Sequence, residues 1–484
     1  MRDSQASSNG IGNATKQPPA TPASVVYIDQ PLYEVRKKIY PRAVSGWFAG
    51  WRVALVLFTQ LIYYGVPWLP WNGRQAVLFE LAGRKFYIFG LVLWPQDFIY
   101  LTALLVISAL ALFLFTAAAG RLWCGYACPQ TIYTELFMWI ERRIEGDRIR
   151  RMKLDAEPMS ARKFAIKAMK HGAWIAVSLW TGFTFVGYFT PIHELLGEVA
   201  SFGTGPWESF WVLFYGFATY GNAGWMREQV CVYMCPYARF QSAMFDPDTL
   251  VITYDESRGE PRGARSRKID ARAKGLGDCV SCGACVQVCP TGIDIRQGLQ
   301  YECIGCAACI DACNQVMQRF GYAPGLIRYG TQNGMRNGWD FRRMVARALR
   351  PRILIYSGIL LAIAIATAAA LVLRVPLKVD VIRDRASLSR ELLDGSIENV
   401  YRLQLMNALE TPRTFTISAA GLPGIAVSGA DTVRVPAAST TMVPIRLKID
   451  PQSLAPGAHQ IVFQVRVQGE DAVLAVERSV FVYR

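Results

Sequence analysis

At 484 residues the chain is too long for one ordinary domain. Its 52% apolar content and positive mean hydropathy point to membrane spans rather than one very large core. A net charge of +15 could suggest nucleic acid, but the arginines crowd the flanks of apolar stretches and no nucleic-acid motif accompanies them. Retention of positive charge on one side of a membrane explains them better.

The first residues, 1–47, are polar, rich in Ser, Pro and Ala, and lack an apolar signal-peptide core. They read as a disordered tail that turns basic at Arg36, Lys37, Lys38 and Arg42. About twenty apolar residues span a bilayer as helix. Five segments meet that need, 48–69, 98–118, 174–190, 207–220 and 353–373, the fourth being short. The first four form an expected α-helical transmembrane bundle over 48–246. The apolar piece 86–94 is too short to span, is stopped by Pro95, and reads as interfacial or re-entrant. Residues 119–171 carry Arg121, Arg142, Arg143, Arg148, Lys167 and Lys170 among other cations, the loop 191–206 carries none, and 221–352 is arginine-rich. That bias predicts a multi-pass membrane protein with its N-terminus and both basic loops in the cytoplasm and its C-terminal part outside. A six-span alternative would return the C-terminal part to the cytoplasmic side.

Each of two spans is followed by the same pattern, C-x-Y-x-C-P: Cys124, Cys128 and Pro129 after the second, Cys231, Cys235 and Pro236 after the fourth. The copies lie 107 residues apart. Cysteines four apart share a face if the segment is helical. The proline favours the first turn of a new helix, whose N-terminus would lower a thiol's pKa. Four soft sulfurs at the bundle's cytoplasmic mouth suit copper(I), zinc, another iron–sulfur centre or a redox disulfide. The bland alternative is that each packs as a small apolar residue. Met226, Met234 and Met244 could add thioether ligands, though methionine near a span is more often packing.

A basic linker, 247–274, leads to two runs of cysteine in 275–320: Cys279, Cys282, Cys285, Cys289 and Cys303, Cys306, Cys309, Cys313. Each has the spacing C-x2-C-x2-C-x3-C, and Pro290 follows the first while Asn314 stands at the equivalent place in the second. Three thiolates at this spacing wrap one iron–sulfur cube and the fourth serves the other. The expected ligand sets are therefore Cys279, Cys282, Cys285 with Cys313, and Cys303, Cys306, Cys309 with Cys289, for two [4Fe–4S] clusters in a ferredoxin-like domain. Structural zinc prefers paired C-x2-C halves separated by longer loops. All 12 cysteines lie between Cys124 and Cys313, which fits metal ligation on a reducing side better than a disulfide scaffold. Arg265, Arg267, Lys268, Arg272 and Lys274 could steer an acidic flavoprotein donor or hold to the anionic leaflet.

A second basic linker, 321–352, precedes the fifth span. Beyond it, 374–484 changes to short alternating runs at 377–382, 400–406, 414–418, 432–435, 442–449, 459–467 and 473–482 with turn residues between them. Seven such strands predict an all-β immunoglobulin-like sandwich, here periplasmic.

This order of features, two C-x-Y-x-C-P pairs, eight ferredoxin-like cysteines and a terminal β-sandwich, with Lys38-Ile39-Tyr40-Pro41-Arg42 ahead of the first span, resembles the CcoG family of cytochrome c oxidase accessory proteins, also called FixG or RdxA. The resemblance covers roughly residues 25–484. It implies an inner-membrane iron–sulfur oxidoreductase that reduces copper(II) to copper(I) during assembly of cbb-type oxidase. The edge cysteines Cys124, Cys128, Cys231 and Cys235 would then be the copper-handling site, and the oxidase's copper-delivery machinery a partner. The membrane half also resembles NapH- and NosR-type quinol dehydrogenase subunits, so a quinol-linked role stays open. For that role Asp97, His193 and Glu194 at the outer ends are the candidate quinone-binding groups, and His171 is read with His193 as interfacial. A third reading is a redox-sensing scaffold whose sandwich docks oxidase subunits. Homodimerisation stays open, and no nucleotide or flavin motif identifies the electron donor.

Overall fold

In this computed structural model the described residues are 38–268, 274–384, 389–429, 431–469 and 473–483. The tail over 1–37, with Arg36 and Lys37, lies outside them, as does Arg272.

Among the described residues, three helices are long and apolar enough to cross a membrane: Trp47–Trp68, Pro95–Ala119 and Pro351–Val372. Their α-helical parts are α1 (Trp47–Gly65), α2 (Phe98–Ala119) and α12 (Pro351–Val372). The expected spans 174–190 and 207–220 do not reach that standard. The first overlaps α6 (Ala161–Val186), whose leading half carries Lys163, Lys167 and Lys170. The second is largely α8 (Pro206–Thr219), which runs on without a break into a π-helical stretch, Tyr220–Met226. α6 and α8 nevertheless cross closely, because a Cβ on Gly182 would collide with the Val212 carbonyl. Small residues at such crossings let backbones touch.

α2 and α12 run antiparallel, latched at both ends. Tyr100 donates to the Ala370 carbonyl at 3.0 Å, and at the far end Arg350 donates to the Ala117 carbonyl at 2.7 Å and pairs with Asp246 at 2.8 Å. Buried Asp97, just before α2, pairs with Arg374 at 2.7 Å and with Lys378. The β-sandwich that follows α12 therefore lies at the opposite end of this helix pair from the cysteine-rich region.

At the sandwich end the segment read as re-entrant forms a small antiparallel sheet of β1 (Val77–Glu80), β2 (Lys85–Ile88) and β3 (Leu91–Leu93). Leu78, Tyr87, Val92 and Trp94 bury against Met406 and Ala408 of the sandwich. The piece is short because it is strand; Tyr87, Val92 and Trp94 find protein, while Ile88 and Phe89 stay exposed.

Between the helices lie α3 (Leu122–Tyr126), α4 (Pro129–Glu145), α5 (Arg148–Ala156), α7 (Ile192–Ala200) and α9 (Pro236–Met244). The segments read as basic linkers contain a paired strand each, β4 (Val251–Tyr254) and β5 (Ile327–Gly330). This two-stranded sheet closes the base of the cysteine domain, where Ile252, Tyr254, Leu326 and Ile327 bury with Cys279, Cys285, Ile310 and Met317. Within the domain are α10 (Ala284–Gln287) and α11 (Ala308–Phe320).

The C-terminal region is a sandwich of two antiparallel sheets. One pairs β9 (Ala426–Gly429), β11 (Thr440–Ile449), β7 (Ile397–Asn407) and β6 (Leu377–Arg383), with a short strand Arg390–Glu391 beside β7. The other pairs β10 (Thr432–Val435), β8 (Arg413–Ala420), β12 (Gly457–Val467) and β13 (Val473–Tyr483). Alternate residues such as Tyr401, Leu403 and Leu405 point inward against Phe415, Phe463 and Phe481. The Tyr401 hydroxyl donates to the Val480 carbonyl at 2.9 Å and ties the two sheets together.

Candidate functional site

The two central cysteine runs are structural repeats, each residue of the first matched 24 positions later. In both, the loop uses left-handed backbone at the same two places, Ser281 and Gly283, then Gly305 and Ala307. A short helix then starts at Ala284 or Ala308 and carries the third cysteine. Reversing the chain twice in five residues turns successive thiols toward one point.

The field each thiol experiences shows which sulfurs meet. Cys313 has Cys285, Cys279 and Cys282 as its nearest charged neighbours. Cys303 has Cys306 and Cys289, and Cys309 has Cys306, Cys303, Cys289 and, from the first run, Cys285. The fourth cysteine of each run thus stands among thiols of the other run. Burial pushes the Cys285 thiol up to about 11, and Cys303 and Cys313 up to about 12. Cys306 and Cys309 rise for the same reason. Backbone amides oppose this, Gly305 at Cys303, Ala308 at Cys306 and Ile327 at Cys313. Buried thiols with amides directed at sulfur gain thiolate character only with a cation among them, which is the environment of an iron–sulfur cube. Among the described residues no three His, Cys, Asp or Glu side chains close to the spacing of a single metal ion. The residues fit a cluster.

The edge cysteines lie directly beside the second set. Cys124 and Cys231 pack with Val288, Ile304, Cys306, Ala308 and Cys309. All four edge thiols come within one another's fields. Cys128 and Cys235 are the caps of α4 and α9, with Pro129 and Pro236 in the first turns. The pairs do not share a helical face: α3 ends before Cys128, and Cys231 sits in a π-helical turn, Val230–Met234, that ends before Cys235. Nor are Cys124 and Cys231 acidified. Burial outweighs the favourable charge of Arg121 and pushes them up to about 11 and about 12. Gln241, fully buried on α9, donates from Nε2 to Cys124 Sγ at 3.5 Å, so the second repeat braces the first. The four thiols are gathered but not closed round one ion. Met234 is 55% exposed, unlike a ligand in this setting.

Two contacts that spacing does not announce hold the cysteine domain to the helices. A Cβ on Gly125 would meet Cys306 Cα and N at 2.8 Å and Gly305 C at 2.9 Å. The first edge motif and the second cysteine loop therefore touch backbone to backbone. The signal available in the sequence was that Gly125 is replaced by Val232 in the other repeat. Asp311 on α11 accepts the Ala49 amide at 2.8 Å and that of Phe48 at 3.4 Å, capping α1 from the cysteine domain.

Of the groups read as quinone-binding, Asp97 is otherwise engaged, while His193 and Glu194 are exposed. Asp97 is 4% exposed and consumed by Arg374 and Lys378. His193 packs edge-on to Trp68 at 5.3 Å, and His171 Nδ1 faces the Tyr220 hydroxyl at 2.9 Å. Arg265 is not a free steering charge either: it donates to the carbonyls of Gly277 at 2.7 Å and Cys279 at 3.2 Å, bracing the first loop. Arg267, Lys268 and Lys274 are exposed.

Comparison with known proteins assigns this arrangement. Nitrogen fixation protein FixG of Rhizobium meliloti is 39% identical over 424 residues, 81% of either chain. Protein RdxA of Cereibacter sphaeroides is 39% identical over 458 residues, 92% of this chain and 96% of the relative. The chain belongs to the FixG/RdxA family. A family model for the immunoglobulin-like fold at the C-terminal of FixG matches 367–484. A 4Fe–4S dicluster domain matches 226–332, and a 4Fe–4S binding domain matches 101–146. Both edge pairs thus fall inside iron–sulfur matches. A crystal structure of a FixG-related protein from Vibrio parahaemolyticus covers 22% of this chain and 95% of its own at 25% identity, with a TM-score of 0.20. Like its family, the chain is an iron–sulfur redox protein with apolar helices suited to membrane association.

Proposed function

We propose that this protein reduces copper(II) to copper(I) at the membrane edge for assembly of a cbb-type oxidase. One cluster would be held by Cys279, Cys282, Cys285 and Cys313 and the other by Cys289, Cys303, Cys306 and Cys309. When bound they supply one-electron storage and transfer. The observation that carries the reading is the packing of Cys124 and Cys231 against Ile304, Cys306 and Ala308. It puts soft sulfur, which prefers copper(I) over copper(II), against the second ligand set. The substrate gains one electron and the protein's own residues perform the rest. Gly125 allows the contact, Gln241 fixes the Cys124 sulfur, and Arg121 supplies positive charge beside the thiols. The electron donor is a cytoplasmic reductant, a flavoprotein by charge, with exposed Arg267, Lys268 and Lys274 as its landing cations. The Lys/Arg bias supports a cytoplasmic cysteine domain and a periplasmic sandwich, in the inner membrane as the family resemblance implies, where the copper-delivery machinery would be met.

The test is anaerobic stopped-flow of the reduced protein against copper(II). Wild type is expected to lose its reduced-cluster absorbance as copper(I) forms. Cys231→Ala with Cys235→Ala should stop that oxidation and keep its iron. Unchanged oxidation in the double variant refutes the site, and lost iron means these cysteines serve a cluster.

A further inference from the structure

The buried residues of α1 are Ala49 and Arg52. An arginine keeps its charge when buried, so one turned inward from an apolar helix calls for a counter-charge. Arg52 is 8% exposed, and its Nε is buried without a hydrogen-bond partner among the described residues. It pairs with Glu135 of α4 at 3.7 Å, but Glu135 also pairs with Arg142, at 3.3 Å. One carboxylate between two arginines leaves positive charge over.

That charge faces the second cysteine set. Arg52 lines a cavity of about 30 Å³, room for a water molecule. Cys306, Ile304, Pro290 and Thr291 close it from the cysteine domain and Cys231 from the helix side. Cys306 is among the charged groups that act on Arg52, after Glu135. The first set is met differently. Arg296, the arginine acting on Cys285, is held side-on by Asp294 at 2.8 and 2.6 Å. A bidentate carboxylate cancels that cation where it stands.

We propose that Arg52 is a positioning residue for electron transfer, its uncancelled guanidinium holding the cluster at Cys289, Cys303, Cys306 and Cys309 at a higher reduction potential than the cluster at Cys279, Cys282, Cys285 and Cys313. Thiolate ligands give a cluster net negative charge and reduction adds to it, so a buried cation alongside favours the reduced form. An electron taken up at the first set, where Cys282 is exposed, passes to the second, leaving the first oxidised and the second reduced beside Cys231. The inference rests on both sets carrying clusters and needs no copper.

The test is an anaerobic redox titration of the full-length protein in detergent, without copper, followed by low-temperature EPR with iron content read alongside. Wild type is expected to show two reduction waves. Arg52→Gln should lower the upper wave by about 59 mV, a tenfold change in the ratio of reduced to oxidised cluster, and leave the lower wave in place. Arg52→Lys, which keeps the charge, should restore most of that shift. Glu135→Gln, which releases Arg52 from its carboxylate, should move the same wave upward. A purely structural role for the pair predicts shifts of one sign, or lost iron, in both variants, and either result overturns the inference. If Arg52→Gln alone loses iron, Glu135→Gln decides, and a wave unmoved or lowered there overturns it. So does a single wave in wild type, or two waves that Arg52→Gln leaves unmoved or shifts together. A wild type with no reducible cluster would instead overturn the ligand sets themselves.

Discussion

Gly125→Ala is the sharpest probe of how the cysteine domain meets the helices. The added methyl would stand 2.8 Å from Cys306 Cα and N and 2.9 Å from Gly305 C. All three are backbone atoms, so no side chain can swing aside. The loop cannot back away easily, because a Cβ at Gly305 would itself be 3.0 Å from the Arg121 carbonyl and Tyr329 holds the Gly305 carbonyl. Overpacking of this kind costs about 1–3 kcal/mol. Because only backbone is met, the upper end applies; alanine's better helix propensity returns up to about 1 kcal/mol in α3, leaving a net loss of about 2 kcal/mol. The assay is thermal bleaching of the visible iron–sulfur band, whose midpoint should fall by about 4–8 °C if a domain of 150–250 residues sets the scale. The rate of oxidation by copper(II) should fall with it. Gly172→Ala is the control, since nothing lies within 4 Å of a Cβ there, and it should be neutral or slightly stabilising. A Gly125→Ala protein with the wild-type midpoint and rate would show that the edge motif and the loop are not in contact.

Further outcomes follow from the same contacts. Asp311→Ala removes the cap on α1 and should lose about 1–2 kcal/mol, read as faster proteolysis between the cysteine domain and α1. Asp97→Asn leaves Arg374 and Lys378 without their buried carboxylate and should destabilise by about 3–5 kcal/mol, seen as early thermal unfolding with iron content unchanged. Cys313→Ser should remove about half of the iron, and adding Cys279→Ser should remove little more, because both serve one cluster. Adding Cys303→Ser instead should strip most of the remainder.

The spacing of the eight cysteines made an iron–sulfur domain legible, and the family matches over 226–332 and 101–146 agree. The sandwich was legible for a similar reason: period-two alternation, as in β11, states its own buried face. What escaped depends on partners distant in sequence. β4 and β5 pair across more than seventy residues, and nothing local in a basic segment reveals that pairing. Asp97 looked like a functional carboxylate until Arg374 and Lys378 came to it from beyond α12. Burial raises the Cys124 and Cys231 thiols, a desolvation that the motif's spacing does not announce.

The double latch between α2 and α12 carries a mechanical consequence. With Arg350 bonded to the Ala117 carbonyl at one extremity and Arg374 locked to Asp97 at the other, sliding one rod past its companion would break a hydrogen bond at one tip and a buried charge pair at the other. The sandwich and the cysteine domain are consequently held apart by a strut of set length, so neither can swing across to reach the other.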